Sequence, residues 1–430
     1  MTDLFAARTQ MALSLGFHIV FAVAGMAMPL LMIAAEAVWL RSGDRVALEL
    51  AKRWAKGTSV LFAVGAVSGT VLSFELGLLW PKFMEHAGSV IGLPFSLEGL
   101  AFFLEAIFLG LYLYGWDRLP PRVHWLCGLA VLAGGTASGA FVVTVNAWMN
   151  APAGITLEAG RIVSIRPFEA MLNPAAPTQV VHMLVAAFQS VGAAVAAIHA
   201  WRLRRAPESR FDRLAFAIAG SVAVASSLIQ PLTGDFLARQ VARTQPAKLA
   251  ALEGQWETRS RAPLRIGGWP DERGERTRWA LEIPAGLSLL AYHDADAVVR
   301  GLKDWRPEDR PPAAAPHVAF QVMVACGLAL AAVSALGLWL AWKRRGVPVD
   351  RAFLNLVCAV GPLGLVAVEA GWVVTEVGRQ PWIIQGLMRT SEAVTPMPGL
   401  RVPLAIIAGV YALLAGTVLA LLRRLVSEAP

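Results

Sequence analysis

Nine apolar stretches, each about 20 to 25 residues long, recur along the 430-residue chain and constrain its fold more than any other feature. A stretch of that length crosses the hydrocarbon layer of a bilayer as one helix. Inside lipid only a helix or a closed barrel satisfies its own backbone hydrogen bonds, and these stretches are too long for barrel strands. They lie near residues 12–39, 57–80, 93–116, 124–148, 178–201, 214–235, 317–342, 353–377 and 401–424. The composition, 56% apolar and only 16% charged, agrees. The expectation is an all-α polytopic membrane protein with about nine transmembrane helices.

Positive charge alternates between the spans. Arg41, Arg45, Lys52, Arg53 and Lys56 follow the first, and Arg118 and Arg122 the third. Arg202, Arg204, Arg205, Arg210 and Arg213 follow the fifth, Lys343, Arg344, Arg345 and Arg351 the seventh, and Arg423 and Arg424 the last. The alternate short loops are poor, with Lys82, then Arg161 and Arg166, then Arg379, Arg389 and Arg401. The positive-inside rule therefore puts the N-terminus outside and the C-terminus in the cytoplasm. The net charge of +8 is a topology signal and not a nucleic-acid patch. Residues 236–316 are too polar to span and too long for a plain connector, so they form a functional loop on the outer side. The organisation expected is helices one to six in 1–235, this loop in 236–316, and helices seven to nine in 317–430. Cys127, Cys326 and Cys358 lie far apart in apolar context and no CxxCH occurs, which speaks against covalent haem and a cysteine metal cluster. The opening MTDLFAARTQ lacks a basic leader, so the first span is expected to be retained.

Ionisable groups inside a bilayer are expensive and mark either a site or a pair. The segment Leu365–Trp382, LVAVEAGWVVTEVGRQPW, carries Glu369, Trp372, Glu376 and Arg379 on one helical face. Given the orientation, His18 in the first span, His182 in the fifth, Met323 in the seventh and Glu376 in the eighth fall at one depth on the outer side. Glu98 opens the third span there, with Glu105 about 10 Å deeper at the helical rise. Taken singly, each has a plainer reading: a hydrogen-bonded packing histidine, a core-filling methionine, or a helix-packing carboxylic acid. Together, imidazole, thioether and carboxylate at one depth suit iron in a porphyrin, where a His–Met pair makes a low-spin site. His86, His124, His199, His293 and His317 sit in loops or at span ends and read as structural or solvated.

The motifs then resemble a known family. GWDRL at Gly115–Leu119, NAWMNAP at Asn146–Pro152, KLAALEGQWET at Lys248–Thr258, MVACG at Met323–Gly327, VEAGW at Val368–Trp372 and GRQPW at Gly378–Trp382 are similar to subunit I of the cytochrome bd-type quinol oxidases. The resemblance covers essentially the whole chain and implies a respiratory enzyme that oxidises quinol and reduces oxygen to water. It implies a low-spin haem b, a high-spin haem b and a haem d, all non-covalent. His182 and Met323 resemble the axial pair of the low-spin haem, and His18 and Glu376 resemble ligands of the high-spin pair. Glu98 and Glu105 resemble the acidic pair beside the oxygen site, and Lys248 and Glu253 the quinol-site residues of the outer loop. Ser138, Glu369 and Trp372 resemble pocket or relay residues, and Arg379 is placed to meet propionates. The implied partners are quinol, oxygen, membrane lipid, a second polytopic subunit and a small single-span one. The implied location is the bacterial cytoplasmic (inner) membrane.

Three departures stand out. Gln321 occupies the position, two before Met323, where the family commonly has Arg. Glu98 and Glu105 are seven residues apart where the best-known members have eight, which keeps both within about 20° of one face. The outer loop is of the short type. Two other readings follow from the residues: a haem b quinol oxidoreductase without haem d or with another acceptor, and a proton-coupled transporter relaying through Glu98, Glu105, Glu369 and Glu376. The second is opposed by the absence of an internal repeat.

Overall fold

A computed structural model describes residues 2–158 and 160–427. Among them, nine helical spans are long and apolar enough to cross a membrane. They begin with α1 Asp3–Ser42, α2 Arg45–Leu79, α3 Pro81–Tyr114 and α4 Pro121–Asn150. A short α5, Pro167–Met171, leads into α6 Ala176–Leu203 and α7 Arg210–Thr244. The long loop holds α8 Pro246–Leu252 and α9 Gly286–Tyr292, and α10 Ala314–Arg344 follows. The eighth span is made of α11 Arg351–Val360 and α12 Leu363–Val377, and α13 Thr390–Ala393 precedes α14 Arg401–Ser427.

Local chemistry explains most helix ends. Thr2, Asp44, Ser209 and Asp350 cap α1, α2, α7 and α11 by accepting from backbone N–H groups of the first turn. Prolines open α3, α4, α5 and α8, where the missing N–H costs nothing. Gly43, at φ 69°, ends α1 in the left-handed conformation.

Three features differ from expectation at the level of elements. The sixth helix runs nine residues past Asp235, to Thr244, where Val241 and Ala242 pack on Leu249, Leu287 and Ala291 of the loop and the Asp235–Arg239 pair at 2.5 Å adds i,i+4 support. It stops just ahead of Pro246, and with α10 starting at Ala314 the irregular loop narrows to 245–313. The eighth span breaks at Gly361-Pro362, since proline cannot continue the backbone ladder. A Cβ on Gly361 would sit 2.3 Å from the Ala197 side chain, so α6 packs closely against the break. The connection after α4 holds an unanticipated antiparallel hairpin, Ile155–Glu158 with Arg161–Ile165.

The helices form two rings of four. In the first, α1, α2, α3 and α4 touch in sequence order and α4 closes back on α1. In the second, α6 touches α7, α7 touches α10, α10 touches α12, and α12 returns to α6. The rings join through α6, which packs on both α1 and α4, while α14 leans on α1 and α2. Interhelical close approach uses small residues, as expected in lipid: Gly192 meets the α7 backbone at Ala223, and Gly364 meets the α6 backbone at Ser190. The basic loops share one end of the bundle. Arg210 pairs with Asp44 at 2.8 Å, and Arg202 donates to the Val426 carbonyl at 2.7 Å. The loop 245–313 lies beyond the opposite end, built from three short antiparallel pairings: 259–260 with 298–299, 264–266 with 281–283, and 269–271 with 276–278.

Candidate functional site

In the first ring, His18 of α1 points at α2. Its Nδ1 lies 2.9 Å from Ser68 Oγ, which itself donates to the Val64 carbonyl at 2.9 Å. Ser68 has spent its proton on the backbone, so the imidazole donates from Nδ1 and leaves the Nε2 lone pair free. Gly69 makes room for the ring: a Cβ there would stand 3.0 Å from His18 Cε1. On α3, both carboxylates face α4. Ser138 donates to Glu98 at 3.1 Å. Glu105, only 5% exposed, fits against Gly134 and Gly135, with Gly25 of α1 on another side. The seven-residue spacing thus stacks the acids along one helix pair.

The second ring repeats the arrangement with different chemistry. His182 of α6 donates from Nδ1 to Thr233 Oγ1 of α7 at 3.1 Å, and Thr233 donates to the Gln230 carbonyl at 2.9 Å. The Gln230 amide nitrogen lies 3.3 Å from both ring nitrogens and must turn aside for Nε2 to bind anything else. Gly234 faces the ring, at 3.5 Å from its Cβ position to Cε1. Met323 of α10 faces Gly371 of α12, whose Cβ position lies 3.2 Å from the sulfur. Since α6 and α10 are not ring neighbours, His182 and Met323 occupy diagonal corners.

Between the rings lies the end of α12. Glu376 accepts from Asn146 of α4 at 2.5 Å and from Arg379 at 2.6 Å, so both its oxygens are engaged. Arg379 is 3% exposed, and its Nε and Nη1 have no partner. Lys248 of α8 reaches into this cluster, donating to Asn150 at 3.0 Å and to the Thr375 carbonyl at 3.2 Å, over a gap that Gly378 leaves open. Burial first, and the Arg379 charge second, push its ammonium down to about 7, with Glu376 opposing. Along the same face of α12, Trp372 packs into the main core and Glu369 approaches Gly16 of α1. Glu369 Oε1 has no partner, and its side chain lines an apolar groove of about 740 Å³ between α10 and α12, under Trp269 of the loop.

Glu253, at the end of α8, belongs to a separate neighbourhood. It is 4% exposed, and burial raises its carboxyl to about 7 against the pull of Arg265. Arg265 donates to Gln255 at 2.6 Å, to the Gly254 carbonyl at 3.2 Å and to Glu282 at 2.9 Å. Gln321 fastens this corner to α10, accepting from Gly267 N–H and donating to the Arg265 carbonyl, each at 3.0 Å. His317 beside it bonds the Leu252 and Gly267 carbonyls. His124 with Glu36, and His199 with Asp212, are likewise held by buried partners, in keeping with structural roles. Sequence reasoning missed the Asn146–Asn150–Gln245 amide network, although NAWMNAP contained two of its members. It also missed Ser68, Thr233 and the facing glycines, which only the packing of helices reveals.

Comparison with known proteins decides the family. The description "cytochrome bd terminal oxidase subunit I" matches residues 6–430. The chain belongs to the cytochrome bd terminal oxidase subunit I family. It is similar to a Bacillus subtilis (strain 168) protein provisionally named a cytochrome bd menaquinol oxidase subunit I, at 37% identity over 97% of this chain and 95% of that one. A second B. subtilis (strain 168) protein, cytochrome bd ubiquinol oxidase subunit 1, is 32% identical over 92% of this chain and 87% of its own length. The structure of bd oxidase from Geobacillus thermodenitrificans superposes with a TM-score of 0.93 at 39% identity, covering 100% of this chain and 99% of that one. The chain is therefore a multi-pass membrane subunit of a quinol oxidase in respiratory electron transport. Membership implies haem cofactors, quinol and oxygen as substrates, and a second subunit beside it.

The residues present fit a haem. Each imidazole is anchored through Nδ1 to a hydroxyl on the next helix, and His18, His182 and Met323 each have a glycine of a neighbouring helix close by, with Gln230 also on His182. The two orphaned nitrogens of Arg379 are donors suited to a propionate. Glu376 differs: an iron would have to compete with Asn146 or Arg379 for its carboxylate.

Proposed function

We propose that this subunit oxidises quinol at the outer membrane face and reduces oxygen to water where the first ring meets the end of α12, with three haems: low-spin b, high-spin b and d. The location proposed is the bacterial cytoplasmic membrane, with the basic end of the bundle inward and loop 245–313 outward. When bound, the haems supply electron carriage and oxygen reduction. His182 and Met323 would hold the low-spin haem, and His18 and Glu376 would serve the high-spin pair. Arg379 holds negative charge at its orphaned nitrogens. Lys248 and Glu253 both titrate near neutrality, which matches them to stabilise and deprotonate a quinol. Glu105 and Glu98 carry protons along α3 toward the oxygen site. Proton release outside and uptake inside would make turnover electrogenic without a pump. A small single-span subunit and bound lipid complete the proposed assembly.

The diagonal pairing of His182 and Met323, each opposite a glycine, carries this reading. The test is the optical spectrum of the dithionite-reduced complex. Bands of low-spin haem b together with a chlorin-type d band are expected. Haem b alone would remove haem d from the reading, and no haem would end it.

A further inference from the structure

One group of buried polar atoms has no part in that scheme. Gln10 and Ser14 stand one turn apart on α1, Glu75 lies on α2 and Tyr411 on α14. Their exposures are 4%, 0%, 4% and 2%, so all four are enclosed. Gln10 donates to Glu75 Oε1 at 2.8 Å. Glu75 Oε2, Gln10 Oε1, Ser14 Oγ and the Tyr411 hydroxyl each lack a partner. Tyr411 stacks on Phe17 of α1, ring centroids 4.3 Å apart, which brings α14 against the turn of α1 that carries Ser14.

Their inventory is specific. Gln10 Oε1 accepts, the two hydroxyls can donate or accept, and Glu75 Oε2 accepts as a carboxylate and can donate as an acid. One water molecule, with two donors and two acceptor sites, can bond all four in either protonation state, because the hydroxyls can reverse their roles. No Lys, Arg or His forms a salt bridge with Glu75 among the described residues, and a bare carboxylate enclosed at this depth is costly. A proton removes that cost. The position is also specific: Ser14 lies one turn before His18 on α1, and Glu75 lies two turns after Ser68, the anchor of His18, on α2.

From this geometry we propose that Gln10, Ser14, Glu75 and Tyr411 enclose a water molecule and form a proton site, in which the Glu75 carboxyl holds an exchangeable proton and Ser14 stands one turn from His18. The proton comes from solvent by way of the enclosed water, converting carboxylate to carboxylic acid with no other bond change. Its coupling to electron arrival beside His18 rests on the haem reading above; the proton site itself does not.

Infrared spectroscopy of the intact complex separates the two. A carboxylic-acid C=O stretch that shifts down in D2O and vanishes in Glu75→Gln is expected, with haem content unchanged. Tyr411→Phe and Ser14→Ala should keep that band but move it, since each removes one bond from the water. Identical wild-type and Glu75→Gln spectra would overturn the proposal, as would a carboxylate band that follows added Na⁺, which would make this a cation site. In reduced-minus-oxidised spectra, a Glu75 band that does not respond would remove the coupling to His18 and leave the proton site standing.

Discussion

The two rings share a scaffold and differ in what they place inside it. In each, a histidine is anchored by Nδ1 to a hydroxyl on the next helix, and that hydroxyl donates back into its own helix. In each, glycine faces the ring. The second ring sets a neutral thioether on the diagonal corner from His182, whereas the first sets the carboxyl of Glu105 on the diagonal corner from His18. A neutral His–Met pair suits a centre that only carries electrons, since an imidazole nitrogen engaged on iron has no lone pair left for a proton and a thioether does not titrate. Carboxyls suit a centre where protons are consumed. The difference predicts separable failures.

The largest effect should come from Met323→Leu, which keeps volume but removes the sulfur. Quinol oxidation should be nearly abolished and the low-spin haem signal lost, while the oxygen-reactive haem stays detectable. If both signals vanish together, the rings are not independent. If the low-spin signal survives unchanged, Met323 is core filler after all.

Glu105→Gln is the mirror experiment. It preserves shape against Gly134 and Gly135 but cannot pass a proton, so turnover should fall by about 10²-fold, at the lower end for a lost acid–base group. The low-spin signal should remain as in wild type. Glu98→Gln should cost less, because Glu98 is partly exposed and hydrogen-bonded to Ser138. Equal losses at both positions would break the idea that the deeper acid is the critical one.

How much of this the chain displays beforehand depends on the kind of signal. Transmembrane length is local, so all nine spans are legible, and so are the spans that carry His18, His182 and Met323. The facing glycines are not legible, because Gly69 and Gly371 are ordinary members of apolar helices until a neighbour is packed against them. Lys248 illustrates the intermediate case. Its motif marks it, but nothing local indicates that it turns toward Asn150 and Thr375 while Glu253, five residues on, turns toward Arg265. The α7 extension is hidden for a related reason: Val241 and Ala242 hold it by packing against Leu287 and Ala291, which lie far along the chain.

The loop sharpens the comparison through pH. Glu253 must be ionised to accept a proton, so activity should rise as pH climbs through about 7. Lys248 must be protonated to act as a cation, so activity should fall as pH climbs past about 7. The expected kcat/KM profile is a bell centred near neutrality. Glu253→Gln should erase the acidic limb and Lys248→Met the alkaline one, with both haem signatures intact. A wild-type profile flat from pH 6 to 8 would remove both groups from quinol chemistry (roughly one unit either side of the expected centre).

The smallest effect belongs to Gln321, which stands where the family resemblance leads one to expect Arg. Its amide instead clasps loop to helix, through the Gly267 N–H and the Arg265 carbonyl. Gly267 is exposed, so water can replace a lost bond there, and Gln321→Ala should loosen the corner by about 1 kcal/mol. That corresponds to a rise in KM for quinol of about fivefold, with kcat and the low-spin spectrum unchanged. Gln321→Arg discriminates further. If the position serves the loop, arginine should raise KM much as alanine does, because it cannot accept from Gly267. If it serves the haem beside Met323, arginine should raise the low-spin potential and leave KM alone. A potential shift without a KM change would move Gln321 from the loop to the second ring.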